Sequence, residues 1–245
     1  MVTEEMYRVA WRRRHNMNER AFFAYLQTKL GAETRAYIKS LEGRKPQAFH
    51  ITNHFNERWF MEILKEAYIK FGVKQGEFLS KYQKKDENQD FYNAWILALL
   101  LLFKDLSQFI MILGIIRTIK IDVQKYVQQK IDEGISPEAI ITLLSVYLTS
   151  RNIIRSQTIA RTELTKIMNF ASEQWASLQN KPLKKKWIVI LDGKERASHS
   201  AMASYPAIAL NEKFIVGGSL MDRPGDASAP ANELVNCRCG LMYVE

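Results

Sequence analysis

Residues 151–191 read RNIIRSQTIARTELTKIMNFASEQWASLQNKPLKKKWIVIL. Two patterns meet in this stretch. As far as Gln179, the apolar residues Ile153, Ala160, Leu164, Ile167, Ala171, Trp175 and Leu178 recur at spacings of three, four and seven. That is the continuous stripe of a helix that packs along its whole length. After Pro182 the period changes. Lys184, Lys185 and Lys186 lead into Trp187-Ile188-Val189-Ile190-Leu191, a β-rich run. Beyond it Gly, Pro, Ala and Asp are frequent, so the strands are short. The fold class this implies is α+β: a mainly α-helical N-terminal region followed by a small α+β C-terminal domain.

Upstream, the chain reads as helices. Glu4 to Leu41 is long and amphipathic, with Met6, Val9, Ala10, Phe22, Phe23, Leu26 and Leu30 at helical spacings. Its front carries Arg8, Arg12, Arg13, Arg14 and His15. Gly43-Arg44-Lys45-Pro46 breaks it. A second helix is expected from about Asn53 to Phe71, and Gly72 and Gly76 punctuate the next stretch. An apolar helix runs from Asp90 to about Ile119, and a short one from Asp122 to Glu133 ends at Gly134. Ser136-Pro137 then opens another, as a capping hydroxyl followed by proline at the first helical position. A boundary is expected near residue 150, separating a helical docking or assembly region (1–149) from the C-terminal domain (150–245).

Composition narrows the function classes. The formal net charge of +9 favours an anionic partner, whether nucleic acid or an acidic protein surface. The two cysteines, Cys237 and Cys239, are too few for a disulfide framework. The N-terminus has no basic segment followed by an apolar core, so no signal peptide is read. The stretch Ala94 to Ile116 resembles a membrane span, but its uninterrupted apolar part ends at Phe103. Lys104 and Asp105 would then sit near mid-bilayer, where ~20 mostly apolar residues are needed. We therefore read a buried helix and expect no membrane span.

The last third of the chain holds an ordered constellation. Ala160-Arg161-Thr162-Glu163 lies on the long helix. Lys186-Trp187 starts a strand, and Asp192, Arg196 and His199 follow. Phe214 comes next, then Pro224-Gly225-Asp226, then Asn236-Cys237-Arg238-Cys239. In this order the set resembles the phage Mu protein F-like head-morphogenesis family, over about residues 150–245. It departs from the family pattern at Lys194, at Glu195 and over Ala203–Pro206. The resemblance implies a minor capsid protein of a tailed phage, present in the virion head and in the host cytoplasm during assembly. Its partners would be portal, major capsid or scaffold proteins, with packaged double-stranded DNA a further candidate. It implies no enzyme. The rival reading is a metal-dependent nuclease or toxin-like effector carried in the head. The sequence does not set the oligomeric state.

The residues suggest what such a domain contains. Cys237 and Cys239 lie two apart, so in extended chain they share a face while Arg238 takes the other. Two thiolates on one face can grip a soft metal such as zinc, with His199 as third ligand and Asp192 as fourth. A small, loop-rich unit gains from such a structural staple. The other reading is two small buried cysteines and a hydrogen-bonded histidine; both stand at this point. A cysteine nucleophile with His199 as base is disfavoured, because no orienting residue is evident. For Arg161 and Glu163, the resemblance favours buried pairing across to Arg196, Asp192 or Arg238. The runs Arg12-Arg13-Arg14 and Lys184-Lys185-Lys186 are candidate phosphate contacts. Pro224-Gly225-Asp226 reads as a turn. His50 and His54 are read as ordinary structural histidines, since Ile51 stands where a zinc-protease glutamate would be.

Overall fold

The computed structural model describes residues 3–49, 51, 54–82, 96–97, 106–179 and 181–245. Helix α1, Glu4–Leu41, starts where the Thr3 hydroxyl accepts the Met6 N–H, with Glu4 and Glu5 at the positive end of the helix dipole. Its buried side is one line: Tyr7, Trp11, His15, Asn18, Phe22, Leu26, Leu30, Thr34, Tyr37 and Leu41. Steps of three and four keep that line on one face. Gly43 follows the helix with φ of 71°, a left-handed conformation cheap only for glycine.

Helix α2, Glu57–Tyr82, runs straight through Gly72 and Gly76, which the sequence suggests as breaks. Each helical glycine costs about 1 kcal/mol relative to alanine. Burial of Phe71, Gln75 and Leu79 along the same segment holds the helix against that cost. Helix α3, Leu106–Asp132, joins stretches that the sequence reading divides near Asp122. It buries Ile112, Ile116, Ile119, Val123 and Val127. Residues 94–95 and 98–103 of the apolar stretch lie outside the described residues, as does His50. Among the described residues, no helix is long and apolar enough to cross a membrane.

Helix α4, Pro137–Ser177, is capped by the Ser136 hydroxyl, which accepts the Ala139 N–H. It unites two expected helices, and position 150 falls inside it. The buried line Ile140, Leu144, Leu148, Asn152 and Ser156 passes that point without interruption. Further along, burial spreads round the helix until every residue from Thr162 to Asn169 is buried. The cause is a sandwich: α1 and α2 flank α4, and the C-terminal strand lies against it.

The β-rich part holds two small antiparallel sheets. In the first, β1 (Lys184–Ile188) lies between β2 (Ile208–Ala209) and β5 (Gly240–Val244). In the second, β3 (Phe214–Val216) pairs with β4 (Ser219–Met221) through Gly217 and Gly218. Two short helices complete it, α5 (Ala197–Ser200) and α6 (Ala231–Leu234). Strand β1 begins at Lys184, two residues before the expected start at Lys186-Trp187, so strand alternation carries both Lys185 and Trp187 inside. They join a second core that includes Trp175, Phe214, Leu241 and Tyr243.

Helix α1 reaches this core too. The Tyr7 hydroxyl donates to the Leu241 carbonyl at 2.7 Å, and the Trp11 indole packs directly on Gly240. A Cβ at Gly240 would sit 2.4 Å from the indole, so only glycine allows the approach.

Candidate metal centre

The segment Asn236–Cys239 crosses the buried face of α4, and its backbone is held at four successive residues. The Asn236 N–H donates to the Thr162 hydroxyl at 3.0 Å. The Thr165 hydroxyl donates to the Cys237 carbonyl. The Trp11 indole N–H donates to the Arg238 carbonyl at 3.0 Å, and the Asn169 amide to the Cys239 carbonyl at 2.9 Å. Thr162, Thr165 and Asn169 stand at helical spacing on α4, a polar line set into an apolar helix. Buried backbone groups need partners, and this line supplies them without a neighbouring strand. Asn236 itself takes a positive φ of 62°, which asparagine tolerates better than most residues.

So clamped, the segment presents both cysteine side chains to His199 and Arg238 to Asp192. Both thiols are free and buried. His199, on α5, faces them through Nδ1, at 3.5 Å from the Cys237 sulfur and 3.4 Å from the Cys239 sulfur. The three donor atoms lie within 4.8 Å of one another. For zinc with Zn–S near 2.3 Å and Zn–N near 2.0–2.1 Å, a tetrahedral edge between sulfur and nitrogen is about 3.6 Å. The observed separations fit one ion among the three donors.

The three groups also act on one another electrostatically. The hydrogen bond from the Cys239 thiol holds the Cys237 thiol well below its usual range, against its burial, and His199 adds to the effect. Cys239 moves well up, because it keeps that shared proton and is itself buried. Burial depresses His199, but the Cys237 sulfur more than offsets it, and the net shift is upward. The Cys239 backbone N–H also points at the Cys237 sulfur, at 3.5 Å. Cys237, Cys239 and His199 thus share protons that a bound metal would displace.

Asp192 does not join this group. Both of its oxygens accept from Arg238, at 2.6 and 2.8 Å. That bidentate pair holds the Asp192 carboxyl below its usual range. Ligation would break two charge-assisted bonds, so the expected fourth ligand is corrected to a partner of Arg238. The acid that does face the histidine is Glu233 on α6, whose Oε2 lies 3.1 Å from His199 Nε2. Sequence reasoning missed it, because nothing in the spacing links α6 to His199. It missed the Thr162–Thr165–Asn169 line as well, although three polar residues on a buried stripe were a readable signal.

The pairing expected of Arg161 and Glu163 is likewise corrected. Neither reaches across to the β-rich part. Arg161 pairs with Glu19 on α1 at 2.8 Å. Glu163 accepts from the Tyr68 hydroxyl of α2 at 3.0 Å and from Lys166 at 3.1 Å. They face the side of α4 that α1 and α2 cover. Arg196 donates to the Val235 carbonyl. The Pro224-Gly225-Asp226 turn packs on α4 so closely that a Cβ on Gly225 would meet the Lys166 side chain at 2.9 Å. The Asp226 carboxylate accepts from the Asp222 N–H at 2.7 Å and the Ser228 N–H at 3.0 Å.

The basic runs divide. Lys185 is fully buried and donates to the Asp222 carbonyl at 2.9 Å, so in this fold it is no phosphate contact. Lys186 pairs with Glu4 at 2.6 Å, and Arg14 donates to Gln75 at 3.0 Å and stacks over Phe78. Arg12, Arg13 and Lys184 are exposed. His54 contacts Glu33 at 3.0 Å, a structural pairing.

Fold and site define a small α+β module, built on one long helix and centred on a buried His/Cys/Cys cluster. No curated protein and no solved structure matches the chain significantly. The model of the family described as "Phage Mu protein F like protein" matches residues 121–242, and over that span the chain belongs to this phage head-morphogenesis family. The matched span begins inside α3, well before residue 150, and ends within β5. The family is one of structural phage head proteins, generally without enzymatic activity.

Proposed function

We propose that the chain is a minor head protein of a tailed phage, in which a zinc-bearing C-terminal module is displayed on a helical docking scaffold. Family membership over residues 121–242 is the observation that carries this reading. The His199/Cys237/Cys239 cluster supports the zinc, which would tie the Asn236–Cys239 segment to α5. Residues 1–149 would supply the docking surface. There Met6, Val9 and Met17 are each nearly 60% exposed on the side of α1 away from its core. With Ala10 and Phe78 they floor two adjoining hollows of about 560 and 710 Å³ between α1 and α2. Arg13, Arg14, Lys74 and Lys81 line their edges, with Glu5 and Glu77 the acids among them. By charge complementarity the occupant is an amphipathic segment with acidic flanks, carried by a portal, capsid or scaffold protein. Arg12, Arg13 and Lys184 would reach packaged DNA, with affinity that falls as salt rises.

The test is quantitative mass spectrometry of purified phage particles. The chain should be present at a few copies per head, and suppressing its expression should lower the yield of filled heads. Absence from particles with unchanged yield overturns the reading. Val9→Glu and Met17→Glu, both at exposed positions, should leave the unfolding midpoint in place and reduce incorporation about tenfold, equivalent to ~1.4 kcal/mol of docking energy. Normal incorporation of both variants removes the groove as the docking surface.

A further inference from the structure

The geometry points to an open metal centre: His199, Cys237 and Cys239 supply three donors, and a water or small anion from solvent occupies the fourth position. This rests on the zinc reading above. Three observations carry it. First, among the described residues no fourth histidine, cysteine or carboxylate joins the cluster. Asp192 is committed to Arg238, and Glu233 stands behind the imidazole, on Nε2 rather than on the sulfur side.

Second, a hollow of about 20 Å³ opens beside the three donors and is lined by all of them. A water needs roughly 10–15 Å³ of such space. The hollow therefore admits one water or an ion of a few atoms, and it excludes a nucleotide or a peptide. Third, the lining is cationic. Lys194, Arg196 and Arg238 border it, with Glu195 the acid among its residues. Asp192 matches Arg238, while Arg196 is held by a neutral acceptor, the Val235 carbonyl. Two thiolates would neutralise a divalent ion, so the cationic side chains around the hollow, with Glu233 on the far side of the imidazole, favour an anionic fourth ligand such as hydroxide or azide.

The same arrangement backs the histidine with a carboxylate. Glu233 accepts from the Ser198 hydroxyl at 2.9 Å and contacts Nε2, leaving Nδ1 for the metal. A Cβ on Gly217 would lie 2.4 Å from Glu233 Oε1, so the β3–β4 turn is cut away to admit that carboxylate. The site is an exchangeable one inside an otherwise sealed module.

The experiment is anaerobic titration of the full reduced chain with Co²⁺, followed by sodium azide. One equivalent of cobalt should produce a near-ultraviolet thiolate charge-transfer band and the visible bands of a four-coordinate ion. Azide should then shift the visible bands while the charge-transfer band persists. A charge-transfer band with visible bands unmoved by saturating azide means a closed centre, and overturns the open-site inference while the metal reading stands. No charge-transfer band at all overturns the metal reading, and this inference with it.

Discussion

Glu233 illustrates what single residues do in this molecule. It touches no sulfur, yet its carboxylate stands 3.1 Å from Nε2, on the nitrogen opposite the one that faces the cysteines. Glu233→Gln keeps the shape and removes the charge. Metal affinity should fall about 10- to 100-fold, the usual effect of losing the group behind a ligating histidine, while the fold is retained. Competition with a chromogenic chelator would measure it, and unchanged affinity would remove Glu233 from the role. Gly240 works by absence. Gly240→Ala drives a methyl group into the Trp11 ring, and overpacking of this kind costs about 1–3 kcal/mol. Chemical denaturation should show that loss, and Trp11→Leu in the same chain should recover part of it. Sequence alone brings out Cys237, Cys239 and His199, because thiol spacing in extended chain decides which side chains share a face. It cannot rank Asp192 against Glu233. Both are acids near the cluster in sequence, and only the three-dimensional position of Arg238 takes one of them away.

At the scale of elements, α1 is the informative case. Its span from Glu4 to Leu41 is legible because apolar residues recur at helical spacing up to a Gly/Pro break, but its buried face is only partly so: Met6 and Val9, read as part of the stripe, are exposed, and Tyr7, Trp11 and His15 are buried instead. Its partner is not legible, since a stripe shows that a face is buried and not against what. His15, on that stripe, donates through Nε2 to the Thr165 hydroxyl at 2.9 Å, because that hydroxyl spends its own proton on the Cys237 carbonyl. Burial, with Arg238 and Arg161 nearby, lowers the His15 pKa from 6.5 to about 3. Glu19 lies 3.5 Å from Nδ1 but is already paired with Arg161, so His15 stays neutral. The unfolded chain then takes up a proton near pH 6.5 that the folded chain refuses until about pH 3. Stability from this residue is complete above pH 6.5 and declines as pH falls. Between pH 7 and pH 5 the loss should be about 2 kcal/mol. His15→Gln should remove about that much of the pH dependence in urea melts. Equal slopes for both proteins would exclude His15 as the titrating group.

The whole molecule binds its family module to the helices before it. Residues 121–242 contain the cluster, yet Trp11 holds the Arg238 carbonyl, Tyr7 holds Leu241, and Tyr68 holds Glu163. A 121–245 fragment would strip the partners from the Arg238 and Leu241 carbonyls, leave Glu163 with Lys166 alone, and bare the face of α4 that α1 covers. It should unfold with a broad, weakly cooperative transition and bind a hydrophobic dye, whereas the 245-residue chain should melt sharply. A sharp transition from the fragment would show that the module stands alone. The boundary expected near residue 150 rests on a shift in composition toward short strands. Composition does not register that one helix crosses the point.

The contact between Trp11 and Gly240 also has a kinetic meaning. Those residues are separated by nearly the whole sequence, and closing so long a loop is slow and entropically costly. During synthesis α1 emerges early, with its apolar stripe uncovered until α4 follows. The clamp on residues 236–239 cannot close until β5 has cleared the ribosome. A chain stalled or cleaved before residue 237 lacks both thiols and the strand that α1 grips, and so leaves Tyr7 and Trp11 uncovered. Complete and truncated chains therefore differ at the Tyr7–Trp11 end of α1, which only the finished chain covers.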